Sequence, residues 1–163
     1  MTSQKAIFAA GCFWGVQYFF DMVPGVIKTV VGYSGGHTKN PTYKQVCSHT
    51  SGHAEAVKIV FDTKKVSYET LVRHFFRIHN PTQLNRQGPD VGDQYRSAIF
   101  YSNVTQKKKA QKILDELNKS QFHGRIVTTL EPADQFYPAE DYHQKYTQCT
   151  GRGMCHVAYE PID

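Results

Sequence analysis

The chain of 163 residues has a single tryptophan, four cysteines and no apolar run near the ~20 residues that a membrane-spanning helix requires. Each shortage excludes something. A transmembrane helix is not expected. The opening "MTSQKAIFAAG" places one lysine before a short apolar stretch, which is too little for an export leader, so the expected location is the cytoplasm. Cys12, Cys47, Cys149 and Cys155 are too few for a disulfide scaffold and lack the C-x-x-C pairs of structural zinc sites, so no metal is expected. No repeat or low-complexity segment appears, which argues against a fibrous or disordered chain. Positive charge is in excess, 19 Lys and Arg against 14 Asp and Glu, yet the cations are scattered. Their one run, Lys107 to Lys109, lies on a helix whose apolar residues Ala110, Ile113, Leu114 and Leu117 face the other way. A solvated helix face explains that run, and no nucleic-acid partner is expected.

What remains is one soluble domain, 1–163, in which 147–163, with no regular pattern, is expected to be a mobile tail. Residues 5–10 read as a buried strand, and Gly11 allows a sharp turn into a helix from about Trp14 to Met22. Residues 26–33 make a β-branched strand, followed by the long loop "SGGHTKNPTY". In the strand 53–62, side chains alternate, with Val57, Ile59 and Phe61 on the apolar face, and parity puts Glu55 on that face as well. Ser67 caps a helix that ends at Asn80-Pro81. A second polar loop, "TQLNRQGPDVGDQ", leads to a strand at 95–101, a helix at 105–120 and a strand at 125–131. Pro138 is suited to the first turn of a short helix, "AEDYHQKY". Interleaved strands and helices predict an α+β sandwich on a mixed sheet.

The chemistry concentrates at "GCFWG", residues 11–15. A cysteine between a strand and a helix N-terminus lies at the positive end of the helix dipole, which favours the thiolate, the nucleophilic form. Phe13 and Trp14 add aromatic surface beside the sulfur, suited to a small apolar group. A buried core cysteine with two core aromatics is the plainer alternative. Glu55 is open in the same way: a desolvated acid, or a surface glutamate paired with Lys58 or a nearby histidine.

Six stretches in order, "GCFWG" at 11–15, "GYSGG" at 32–36, "NPTYKQVC" at 40–47, "GHAEAV" at 52–57, "QGPDVGDQYRS" at 87–97 and "AEDYHQKY" at 139–146, resemble the A-type peptide methionine sulfoxide reductases. The resemblance implies a ferredoxin-like core and reduction of the S epimer of methionine sulfoxide, free or in proteins. It makes Cys12 the nucleophile and Glu55 the acid that protonates the departing oxygen, which suits a carboxyl with a raised pKa. Tyr43 and Tyr95 are placed around the sulfoxide oxygen as hydroxyl donors, Asp90 in the same pocket, and Phe13 and Trp14 around the S-methyl group. Cys155 corresponds to a resolving cysteine, with Cys149 as bystander or partner in a second disulfide, and Cys47 reads as structural. Thioredoxin is the implied reductant, replaceable in vitro by dithiothreitol. No nicotinamide or flavin is expected, because the "GYSGG" glycines lack the strand–GxGxxG–helix setting that cradles a pyrophosphate.

Other readings compete. Cys149, Cys155, His156 and His143 could ligate a metal, and Cys12 with His53 or His143 could form an acyl-transfer pair. No apolar heptad stripe compels a dimer, and a monomer is expected.

Overall fold

The computed structural model describes residues 2–147, so the expectations for Cys149, Cys155, His156 and the tail lie outside the described residues. The elements run β1 (Ser3–Ala10), α1 (Phe13–Asp21), β2 (Val26–Ser34), α2 (Tyr43–Cys47), β3 (Ala54–Asp62), α3 (Tyr68–Arg77), β4 (Arg86–Gln87), β5 (Asp90–Val91), β6 (Ser97–Tyr101), α4 (Val104–Ser120), β7 (Thr129–Pro132) and β8 (Phe136–Pro138). Two 3-10 turns, Asp93–Tyr95 and Asp141–His143, complete the set.

Six strands form one sheet in the order β7-β6-β1-β3-β2-β8. Its centre, β6-β1-β3-β2, is antiparallel throughout, and with α1 and α3 as crossovers it is the expected ferredoxin-like unit. Among the described residues only the β6–β7 pair is parallel, which makes the sheet mixed. Strand parity then separates two cores. Phe8, Val31, Val57, Ile59, Phe61 and Ile99 meet α1, α3 and α4 on one face, where the Phe8 ring stacks on Phe20 and Phe75, each at 5.3 Å. On the opposite face, the small side chains of Ala9, Ala54, Ala56 and Ala98 leave room for Phe136 and Ala133 to lie close. Glu55 shares the parity of Val57 and is buried on the helix side, as the alternation predicts.

Capping sets the helix starts. Ser67 accepts from Thr70 N, and Asn103 accepts from Gln106 N, so α4 begins at Val104. The C-terminal region differs from expectation. Pro138 ends strand β8 and does not open a helix: Ala139 N donates to Val31 O, residues 139–145 hold the 3-10 turn Asp141–His143, and helical backbone begins only at Tyr146. The strand expected at 125–131 is shorter and later, at Thr129–Pro132. Gly32 is required where β8 joins β2, since a Cβ there would lie 2.4 Å from Tyr137 O and 2.5 Å from the Phe136 ring.

Candidate active site

The chain turns out of β1 at Gly11, whose φ of 92° is the left-handed conformation that suits glycine, and the next residue, Cys12, is the N-cap of α1. The cysteine is thereby fixed at the end of a central strand and at the start of a nine-residue helix, with only 9% of its surface exposed. The neighbouring amide, Phe13 N, does not point to solvent. It donates to Glu55 Oε1 at 3.2 Å.

Glu55 comes from β3, where Tyr33 of β2 is its cross-strand partner. It is 1% exposed, and its other oxygen, Oε2, has no hydrogen-bond partner among the described residues. Burial raises its pKa to about 8, the Phe13 N–H bond works downward, and the Asp90 carboxylate adds to the rise. A carboxyl in this state holds a proton at neutral pH, and Oε2 is the oxygen left to carry it.

Two tyrosines face the same carboxyl. Burial first, then the negative charge of Glu55, pushes the hydroxyls of Tyr43 and Tyr95 well above the ordinary tyrosine value. Both therefore remain O–H donors at any physiological pH. Asp90 and Cys12 also bear on Tyr95, which places the β4–β5 hairpin and the 3-10 turn beside the thiol. Tyr43 is the first residue of α2, set by a capping box between Thr42 and Gln45. Cys47 ends that short helix within hydrogen-bonding reach of the Tyr43 side chain, and burial pushes its thiol up.

Phe13 and Trp14 stand next to Cys12 and are joined by rings from the C-terminal segment. His143 lies 5.2 Å from Phe13, 5.6 Å from Trp14 and 4.4 Å from Tyr43, and Tyr146 stacks on Trp14 at 3.9 Å. Seven expected residues, Cys12, Phe13, Trp14, Tyr43, Glu55, Asp90 and Tyr95, thus gather in one place from four separate elements and a 3-10 turn. Sequence reasoning gave no part in the pocket to Tyr33, Glu140 or Tyr146, and considered His143 only as a metal ligand or base. The signal available was their position inside "GYSGG" and "AEDYHQKY". His53, the other candidate base, accepts from Gly36 N at Nδ1 and meets Thr38 O at Nε2, so its ring is committed to the 35–38 loop. Among the described residues no three His, Cys, Asp or Glu side chains form a metal-binding group.

A buried thiol at a helix start, a protonated carboxyl on the adjacent amide and two hydroxyl donors can attack an electrophilic centre and hand protons to an oxygen leaving it. Comparison with known proteins gives this chemistry a family. A model described as peptide methionine sulfoxide reductase matches residues 4–163. The chain belongs to that family. The reductase is 56% identical to the peptide methionine sulfoxide reductase MsrA of Pasteurella multocida over 98% of this chain and 91% of that protein. It is also 56% identical to the MsrA of Methanosarcina acetivorans over 91% of this chain and 79% of that one. Among solved structures, reduced Mxr1 of Saccharomyces cerevisiae superimposes with a TM-score of 0.91 at 31% identity, covering 98% of this chain and 93% of that one. The same yeast protein is also known in complex with Trx2. Thiol-dependent reduction of methionine sulfoxide is the activity that goes with this reductase and its fold. No helix among the described residues is long and apolar enough to cross a membrane.

Proposed function

We propose that the reductase acts on the S epimer of methionine sulfoxide, free or within proteins, and that Cys12 is the nucleophile. The observation that carries this reading is the placement of Glu55: a fully buried carboxyl bonded to the amide that follows Cys12, with one oxygen uncommitted. A sulfoxide oxygen leaves sulfur only when protonated. Glu55, holding its proton up to about pH 8, supplies that proton, while the Tyr43 and Tyr95 hydroxyls donate to the oxygen as charge builds on it. Phe13 and Trp14 receive the S-methyl group, and Asp90, by its charge, helps keep Glu55 protonated.

The first step forms a bond between Cys12 sulfur and the substrate sulfur. The oxygen passes to Cys12, so the thiol becomes a sulfenic acid and methionine leaves reduced. In the second step the thiol of Cys155 attacks the sulfenic sulfur and expels water, leaving a disulfide; Cys149 serves in the same tail as a secondary partner. A dithiol of the thioredoxin class reduces that disulfide and is itself oxidised, in keeping with the Trx2 complex of the yeast relative. The electrons come from that partner with no bound cofactor, and a cytoplasmic setting supplies it. One catalytic domain acting as a monomer suffices for the cycle.

The test is dithiothreitol-dependent turnover of separated S and R epimers of a methionine sulfoxide peptide. Reduction of the S epimer alone, abolished in Cys12→Ser, supports the reading. Turnover of neither epimer by folded, reduced protein would sink it. Loss of thioredoxin-supported but not single-turnover reduction in Cys155→Ser separates the second step from the first.

A further inference from the structure

Trp14 is the only tryptophan in the chain, and a segment 129 residues further along holds it. Its indole Nε1–H donates to His143 Nδ1 at 2.8 Å, while Tyr146 lies flat against the ring, with 17° between the planes. An indole nitrogen can only donate. The Nδ1 of His143 must therefore be the unprotonated nitrogen, which leaves the proton of a neutral imidazole on Nε2. Burial acts in the same direction, with the Glu140 carboxylate as the smaller, opposing influence. The imidazole is 1% exposed and packs against Phe13, Tyr43 and, at 4.1 Å, Tyr142.

The segment bearing His143 is itself anchored through side chains. Gln144 accepts from Val31 N and donates to Val31 O and Ala139 O. Lys145 donates its amide to Gln17 and its ammonium to Asp21 and Thr29. Glu140 accepts from Tyr33 OH and Tyr43 N. His143 is thus a fixed acceptor for the one polar atom of a ring whose face Tyr146 covers.

We propose that His143 is a positioning residue: its Nδ1 lone pair fixes the plane of the Trp14 indole and so the shape of the wall that receives the substrate's S-methyl group. The inference rests on the reading of Trp14 as that wall. His143 does not take part in proton transfer to the sulfoxide in this account. Its contribution is made before substrate arrives and is the same in ground and transition states, so it shows in KM.

The two amide replacements separate the two ring nitrogens. In His143→Asn the side-chain oxygen falls near the place of Nδ1, and in His143→Gln near that of Nε2. His143→Leu removes both without adding a buried amide. Each His143 variant is compared with the parent by acrylamide quenching of the sole tryptophan in substrate-free protein, and with the parent and Trp14→Phe by steady-state kinetics on a methionine sulfoxide peptide. Thermal melting checks that each is folded. His143→Gln and His143→Leu are expected to raise the quenching constant about twofold and KM roughly tenfold, with kcat changed less than about threefold, the size of effect that losing one hydrogen bond allows. His143→Asn should rescue most of both.

Equal damage in His143→Asn and His143→Gln, or rescue by Gln and not Asn, overturns the proposal. If Trp14→Phe leaves KM unchanged, the wall reading fails and the positioning role falls with it. If Trp14→Phe raises KM but His143→Gln and His143→Leu alter neither quenching nor KM, the positioning role alone falls.

Discussion

Two glutamates meet at this site, and their surroundings push them in opposite directions. Glu55, on the floor of the pocket in β3, accepts one amide N–H and has the Asp90 carboxylate as a neighbour; its pKa rises to about 8. Glu140, in the C-terminal segment, is half-buried. Burial works upward there too, but the Tyr43 amide and the Tyr33 hydroxyl hold it below the usual carboxylate value. The two differ in both depth and donors: Glu55 is fully out of water with one N–H, whereas Glu140 is less deeply buried and finds several donors, its own amide among them.

The largest expected effect comes from removing the proton that distinguishes Glu55. Glu55→Gln keeps an oxygen for Phe13 N but has no acidic hydrogen to give, and kcat should fall by about 10²- to 10⁴-fold, the usual worth of a positioned general acid. Unfolding in denaturant should show no loss of stability, because a buried ionisable group has been replaced by a neutral one. A fall below tenfold in kcat would remove Glu55 from the acid role. Glu140→Gln, by contrast, should leave kcat within about tenfold, since it reaches the reacting centre only through Tyr33 and Tyr43.

The hydroxyl donors come next. Tyr95→Phe should lower kcat by about 10- to 100-fold, somewhat less than loss of an oxyanion-hole donor in a hydrolase, because Tyr43 can still donate to the same oxygen. The double variant with Tyr43→Phe should lose more than either alone, and rates measured on one peptide would show it. Equal rates in Tyr95→Phe and the parent would place that hydroxyl away from the sulfoxide.

The pH dependence sharpens the same contrast. Glu55 binds its proton more tightly folded than unfolded, so its contribution to stability is fully present below its unfolded value near 4.5 and is lost as pH rises through about 8. Glu140 has the opposite sign: its contribution is present above the unfolded value and is lost as pH falls through its depressed folded value. Denaturant unfolding across pH should therefore flatten between about pH 4.5 and 8 in Glu55→Gln and below about pH 4.5 in Glu140→Gln. If Glu55 is the acid, kcat/KM of the parent should also decline above about pH 8.

The same contrast runs through what could be read from the sequence. Glu55 was legible because period-2 alternation in 53–62 assigns its face without any tertiary knowledge, and Cys12 because a glycine turn between an apolar strand and an apolar helix is a local event. Strands and long helices of the ferredoxin-like unit were found within a few residues for the same reason. The five-residue α2 and the two-residue strands of the β4–β5 hairpin are too short to show any period, so the loops containing them read as plain loops. The C-terminal segment was misread as a helix because its order comes from Glu140, Gln144 and Lys145 reaching partners more than 90 residues away. No pattern within 136–147 records those partners. For that reason His143 and Tyr146 entered the site only once the fold had brought them there.

The smallest effect expected tests whether that segment is held as described. Gln144 acts as a one-residue strand beside β2: it accepts from Val31 N at 3.0 Å and donates to Val31 O at 2.9 Å, in the way a backbone neighbour would. Gln144→Ala leaves Val31 N without that acceptor, while Val31 O keeps the amide of Ala139. Losing one half-buried donor's partner should cost about 1–2 kcal/mol, which for a domain of this size lowers Tm by roughly 2–8 °C. Because Lys145 and Glu140 still anchor the segment on either side, Trp14 emission and KM should change much less than in His143→Gln. A loss of Trp14 order as large as that caused by His143→Gln would mean that the segment is held at Gln144 alone, and that the indole is positioned by the segment as a whole and not by the Nδ1 lone pair.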